Sequence, residues 1–336
     1  MEVAIVGCGT IGTRRAEVAA AKGDRILAVA DLDEARARQM AERFHVDWST
    51  NWRYVVAPAP VDAVVVAAVT SALAPIVIEA LRQGKHVLCE KPMGRTADEA
   101  GAIARAARQS GRCLKVGFNH RHHPAVSRAH DLAVSGRIGR VLAIRAAYGH
   151  GGRPGYEREW RCDPAVAGGG ELLDQGVHLI DLARWFLGDF TQVSGAVATW
   201  FWPIQPLEDN AFALLSTADG RVATIHVSWT QWRNIFRFEI LGSEGYLVAD
   251  GLGGNYGVER LTHGRRQPDW SGPLEEQWEF PAPDPSWSDE WLEFSTAIRE
   301  RRKPLGSAED GYAAALLVDA IYRSARSGGS TVKLAS

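Results

Sequence analysis

Over its first third the chain alternates short apolar runs with amphipathic stretches. Val3–Val6 is one such run, "RILAVAD" a second, and "VDAVVVAAV", "HVLCE" and "CLKVGF" follow. Runs this short, with no polar alternation, suit strands of a parallel sheet covered on both faces. Between them, Ile11–Lys22, "ALAPIVIEALRQG" and "TADEAGAIARAARQSG" read as helices. The last opens on Thr96 with Glu99 three residues on, a capping-box pair. This alternation predicts a doubly wound α/β parallel sheet over residues 1–119, where ligands sit beyond the carboxyl ends of the strands.

After Asn119 the pattern changes. A helix near Pro124–Ser135 leads into "RVLAIRAAYG", and further strand-like runs cover Val193–Phe201, Ala211–Ser216, Val222–Trp229, Phe236–Leu241 and Tyr246–Ala249. The connections "ADG" and "GSEG" read as hairpin turns, so residues 120–336 are expected to form an α+β domain around an antiparallel sheet. Helices near Ser288–Arg302 and Ser307–Ala325 close the chain.

One stretch breaks the pattern. "GGGELLDQGVHLIDLARWFLGD", Gly168–Asp189, is apolar on nearly every side, as a buried helix is. Yet Asp174, His178 and Asp181 fall on one helical face. Two explanations stand at this point: a mutually satisfied buried pair, since burial of charge demands partners, or His and Asp ligands at helical spacing that hold a metal.

Composition narrows the classes. The chain has 336 residues, 46% hydrophobic and 23% charged, with 38 basic and 40 acidic residues. The resulting net charge of −2 gives no basic excess for nucleic acid or an anionic membrane. No apolar stretch is long enough to span a bilayer, and Met1 leads directly into a strand-like run rather than a signal peptide. Cys8, Cys89, Cys113 and Cys162 are scattered without a CxxC pair, which suits reduced thiols and a cytoplasmic protein. His120, His122 and His123 crowd one strand-to-helix turn, where near-adjacent residues rarely converge on one ion, so no metal is expected.

The chemistry concentrates at strand ends. Gly7, Gly9 and Gly12 form G-x-G-x-x-G directly after the first strand and at the start of a helix, with Thr10 and Ile11 between them. Asp31 ends the second strand, nineteen residues past Gly12. Gly7 permits the turn, Gly9 admits a pyrophosphate, Gly12 lets helix meet strand, and the helix N-terminus favours the anion. The acid accepts from a ribose diol and disfavours a 2′-phosphate, so the dinucleotide expected is NAD rather than NADP. Glu90-Lys91-Pro92 lies at another strand end, and Lys91 faces the same cleft. The loop Gly152–Pro164 mixes glycine, aromatic and arginine residues just before the Asp174 helix. Tyr156, Trp160 and Arg161 there offer flat rings for a sugar's C–H faces and a fork for hydroxyls or phosphate, and Arg121 is expected to line the cleft.

The G-x-G-x-x-G turn, Glu90-Lys91-Pro92, "GFNHR" and the D-x-x-x-H helix together resemble the Gfo/Idh/MocA oxidoreductase family. The resemblance implies a Rossmann domain followed by an open-faced sheet domain that binds substrate and forms a homodimer or homotetramer. It implies hydride transfer between NAD and a secondary hydroxyl or ketone of a sugar, cyclitol or sugar-containing molecule. Lys91 then touches the nicotinamide ribose and the reacting hydroxyl, while Asp174 and His178 bind substrate and move its proton. Thr70, Ser71 and Glu90 join the cofactor set. "TSALAP", Thr70–Pro75, departs from the family pattern because it lacks a histidine. Some relatives cleave glycosidic bonds by transient oxidation and others only sense sugars; Lys91, Asp174 and His178 together argue against the sensor.

Overall fold

The computed structural model describes residues 1–57 and 60–334, so the last two positions of the chain lie outside the described residues. The chain divides into two compact units, Met1–Asn119 with Ala165–Gly168 and Trp287–Ala315, and His120–Pro164 with Gly169–Ser286 and Leu316–Ser336. The segments Ala165–Gly168 and Trp287–Ala315, assigned by the sequence reading to the second domain, thus belong with the first.

In the first unit, strands β1 (Glu2–Val6), β2 (Arg25–Ala30), β3 (Asp47–Ser49), β4 (Ala63–Val66), β5 (His86–Cys89) and β6 (Leu114–Val116) form one sheet in the order β3-β2-β1-β4-β5-β6. Every pairing is parallel. The order reverses between β1 and β4, the switch point where such sheets bind ligands. Val3, Ile5, Val64, Val65, Val87 and Leu88 are fully buried, as strands covered on both faces require. The helix Ser286–Glu300 completes this core: Trp291 and Phe294 are fully buried among Val3, Ile5, Val29 and Leu88, and Trp291 Nε1 donates to Asp24 at 2.7 Å. At Thr96 the hydroxyl accepts from Glu99 N at 3.2 Å, but Glu99 returns its carboxylate to Arg95 N, one residue earlier than a capping box would.

The second unit is built on a nine-stranded sheet. Its strands are β7 (Val141–Gly149), β8 (Phe190–Ala198), β9 (Asn210–Thr217), β10 (Val222–Ser228), β11 (Ile235–Gly242), β12 (Gly245–Asp250), β13 (Glu259–Arg265), β14 (Leu274–Phe280) and β15 (Val332–Lys333), ordered β14-β13-β12-β11-β7-β10-β9-β8-β15. The sheet is largely antiparallel, with one departure from expectation: β7 and β10 pair in parallel. The sequence pattern does not reveal β13, β14 or the two-residue β15. "LEEQWEF" is mostly exposed at the sheet edge, so burial imposes little alternation on it. On β9 the residues Ala211, Ala213 and Leu215 are buried while Phe212 and Leu214 are exposed, the period-two signature of a sheet covered on one face. The helix Val177–Leu187 packs on the covered face, against β7 and β10.

Candidate functional site

The first unit presents a cofactor half-site. β1 ends at Val6, and Gly7 turns the chain with φ +98°, its amide donating to Ala30 O at 2.8 Å. A Cβ on Gly7 would lie 2.3 Å from Ala67 O, and one on Gly12 would lie 1.7 Å from Gly7 O, so both glycines are fixed by backbone packing. A Cβ on Gly9 would meet nothing within 4 Å. That open cradle fits a pyrophosphate. The helix Thr10–Ala21 starts there with no acidic residue in its first turn and, among the described residues, no side-chain cap on Gly9, so the site favours an anion. Gly9→Ala is compatible with the local backbone (φ −74°, ψ −172°). It is expected to leave stability within about 0.5 kcal/mol, as surface changes do, while weakening NAD binding at least about tenfold, read by calorimetry. Unchanged NAD affinity would remove the cradle from the account.

Asp31 follows β2 with its carboxylate turned onto the glycine loop. Oδ2 accepts from Cys8 N at 2.7 Å and Oδ1 from Asp33 N at 2.9 Å. Asp33 caps the helix Glu34–Phe44 through Ala35 N and Arg36 N, and Arg36 returns to Asp33 at 3.2 Å. The sequence shows no arginine directly beside Asp31; the helical turn nevertheless brings Arg36 into this corner, paired with Asp33. Thr70 and Ser71 read as a loop but begin the helix Thr70–Arg82, which carries Pro75 inside it; Thr70 is buried and Ser71 half-buried. Glu90, after β5, is buried against Arg15, and Lys91 is partly exposed at the same strand end.

The second unit presents a separate polar cluster. The segment expected to be one helix begins with a π-helical stretch, Leu172–Gly176, and continues as the α-helix Val177–Leu187. Single π turns recur at functional sites, and Asp174 lies on this one. The three preceding glycines pack closely. A Cβ on Gly169 would lie 2.5 Å from the Tyr322 hydroxyl, and one on Gly170 would lie 2.1 Å from Glu208 O. Glu208, absent from the sequence reading, accepts from Gly170 N at 3.3 Å, Leu172 N at 3.0 Å and the Tyr322 hydroxyl at 2.7 Å. It caps the helix from 36 residues away. Burial pushes its carboxyl pKa up, against those hydrogen bonds.

The polar stripe divides. Asp181 is buried in a two-pronged ion pair with Arg121, Nε to Oδ2 at 2.7 Å and Nη2 to Oδ1 at 2.6 Å. The sequence reading sends Arg121 to the substrate; the structure instead buries it as the anchor of the helix, 3% exposed. Asp174 stays partly exposed, with Arg161 Nε 3.4 Å from Oδ2. His178 is 5% exposed, and the His120 ring packs edge-on against it with centroids 3.7 Å apart. In the sequence His120 belongs to the "GFNHR" motif and to a histidine cluster from which no metal is expected. Among the described residues no group of three or more His, Cys, Asp or Glu is arranged to hold a metal. Tyr148 lies edge-on to His120 at 5.2 Å, and burial raises its hydroxyl pKa well above the usual range, keeping it protonated. His150, near Asp174 and Arg161, has its pKa lowered by burial, which favours the neutral ring.

Of the loop residues, Arg161 lies over the Trp160 ring at 4.5 Å, and both are partly exposed. Tyr156, expected at the substrate, packs instead with Ile204, Leu207 and Trp229 and is buried. Trp229 is core, whereas Trp200 and Trp232 are exposed.

Comparison with known proteins places this geometry. Residues 1–118 match the oxidoreductase family model with an NAD-binding Rossmann fold, and residues 126–248 match the GFO/IDH/MocA C-terminal domain. An inositol 2-dehydrogenase of Burkholderia lata is 30% identical over 98% of this chain and 95% of its own length. A levoglucosan dehydrogenase of Pseudarthrobacter phenanthrenivorans is 29% identical over 88% of this chain and 86% of its own. The solved complex of levoglucosan dehydrogenase with NADH and levoglucosan aligns over 100% of both chains with a TM-score of 0.89 at 28% identity. The chain belongs to the Gfo/Idh/MocA family and is an oxidoreductase with an NAD-binding domain.

Proposed function

We propose that the protein is an NAD-dependent dehydrogenase or reductase acting on a secondary hydroxyl or ketone of a sugar, cyclitol or sugar-containing small molecule. The observation that carries the reading is the set of half-sites in one family member: a glycine cradle closed by Asp31, Lys91 at a strand end, and Asp174 with His178 on a helix anchored by Asp181–Arg121 and capped by Glu208. When bound, NAD supplies the nicotinamide ring that takes or returns a hydride. In this reading Gly7, Gly9, Thr10, Ile11 and Gly12 hold the diphosphate, and Asp31, Thr70, Ser71 and Glu90 serve or support the ribose contacts. Lys91 binds the nicotinamide ribose and the substrate hydroxyl. Asp174 orients a neighbouring hydroxyl, His178 takes the reacting hydroxyl's proton, and Trp160 and Arg161 grip the sugar. Arg121 and Tyr156 support that surface from beneath.

NAD is preferred over NADP in this reading because a 2′-phosphate would face the Asp31 carboxylate, while Arg36 is occupied by Asp33. Asp31→Ala is expected to weaken NAD about tenfold and to narrow the ratio of kcat/KM values for NAD and NADP. Because Asp31 also holds Cys8 N, part of the affinity loss applies to both cofactors, so the ratio is the specific readout. Equal efficiency of the wild type with both cofactors contradicts the preference.

The open sheet face supports a homodimer or homotetramer. Phe212 stacks on His226 at 4.2 Å, Trp200 lies 5.9 Å from Phe212, and Leu214 is exposed beside them. A cytoplasmic location is supported by four unpaired cysteines, with burial pushing the Cys8 and Cys113 thiols up to about 12.

A further inference from the structure

The first unit hides a charged cluster behind Glu90, and no step above uses Arg15, Lys115 or Glu290. Arg15, on the helix that follows the glycine turn, is fully buried. Its Nε donates to Glu90 Oε1 at 2.7 Å, and Nη2 lies 2.6 Å from the same oxygen. Its Nη1 donates to Glu290 Oε2 at 2.5 Å, and its guanidinium lies 4.4 Å from the Trp287 ring centre. Glu290 is itself fully buried, with Lys115 Nζ 3.8 Å from its other oxygen and 3.4 Å from Glu293. Lys115 also donates to Leu305 O.

Three sequence motifs meet here: the helix of the glycine turn supplies Arg15, the Glu90-Lys91-Pro92 turn supplies Glu90, and "GFNHR" supplies Gly117. A Cβ on Gly117 would lie 2.9 Å from both Arg15 Nη2 and Glu90 Oε2, so this glycine makes room for the pair. Stability alone explains such a cluster poorly. Buried ion pairs are often matched or bettered by apolar residues of similar volume, and the best-attested use of one that is kept is to fix a position. The position held here is that of Glu90, whose backbone is also tied by its amide to Val66 O at 2.9 Å. The next residue is Lys91.

We infer that Arg15 and Glu290 are positioning residues: through Glu90 they hold Lys91 at the place where it meets the nicotinamide ribose. The inference rests on the role proposed above for Lys91. Neither residue touches the cofactor, since both are fully buried among protein groups.

The test is a double-mutant cycle read first by NAD affinity, using protein fluorescence on the full-length protein, with melting temperatures measured in parallel. Lys91→Ala is expected to weaken NAD about tenfold, through loss of a charged hydrogen bond. Arg15→Met in the wild-type background is expected to weaken it by a few-fold to tenfold, and in the Lys91→Ala background by less than about twofold. Gly117→Ala repeats the perturbation without removing a charge and is expected to show the same dependence on Lys91, which covers the case in which Arg15→Met does not fold. With inositol or levoglucosan as substrate, kcat is expected to follow the same pattern. Equal losses in both backgrounds, or no loss from Arg15→Met or Gly117→Ala beside a clear Lys91→Ala effect, overturn the positioning role alone. Unchanged NAD affinity and kcat in Lys91→Ala overturn the reading beneath it.

Discussion

His178→Ala is expected to lower kcat for alcohol oxidation by roughly 10²–10⁴, the cost of losing a general base, and to leave NAD affinity within about twofold. Oxidation strips a hydride from the alcohol carbon and leaves the hydroxyl proton to be carried away. Imidazole, with an unperturbed pKa of about 6.5, can take that proton near neutral pH. His178 is 5% exposed, so bulk water is a poor substitute acceptor. Its ring is steadied by His120 at 3.7 Å and its helix by the Asp181–Arg121 pair and the Glu208 cap. A base held this way is lost cleanly on truncation, since its supports remain. The initial rate under saturating NAD, across the pH range of activity, is the measurement. A kcat near wild type with an unchanged melting temperature returns His178 to the role of a buried structural residue.

Lys91→Ala is expected to cost at least as much kcat and, unlike His178→Ala, to weaken NAD about tenfold. The difference follows from the two roles. In the proposed role the lysine that follows β5 contacts both ribose and reacting oxygen, so its truncation removes a ground-state contact and a transition-state charge at once. Lys91→Arg keeps the charge but not the point geometry of an ammonium, and should recover NAD affinity before it recovers kcat. A loss of kcat with NAD affinity unchanged would place Lys91 on the substrate alone.

The parts of this picture that were legible in the sequence are those set by local spacing. Gly7, Gly9 and Gly12 stand where backbone packing and an open cradle require them, and Asp31 falls at the next strand end because a strand–helix–strand unit has a fixed length. Glu90 and Lys91 stand out in the sequence because they follow a short buried strand, and strand ends are the edge where such sheets bind ligands. Contacts between distant positions were not legible. Arg121 and Asp181 are 60 residues apart, Glu208 reaches Leu172 across 36, and Arg15 reaches Glu290 across 275. No local pattern announces such pairs, so Arg121 was read as a substrate contact rather than an anchor. Tyr156 misled for a related reason: a polar, glycine-rich loop hides the fact that one of its aromatics folds back into a core with Trp229. The parallel pairing of β7 and β10 brings together strands far apart in the chain, and turn signals report only on neighbours.

The central claim is that hydride passes between NAD and a carbinol carbon of a sugar-like substrate. The most direct test uses inositols, levoglucosan and other sugars labelled with deuterium at successive secondary carbinol carbons, incubated with the enzyme and NAD, followed by mass analysis of the nicotinamide. The account predicts that one labelled position in an accepted substrate delivers its deuterium to the reduced cofactor, and that His178→Ala slows this transfer without redirecting it. Deuterium released to water with no label on the cofactor, or no reduction of NAD across the panel, contradicts it.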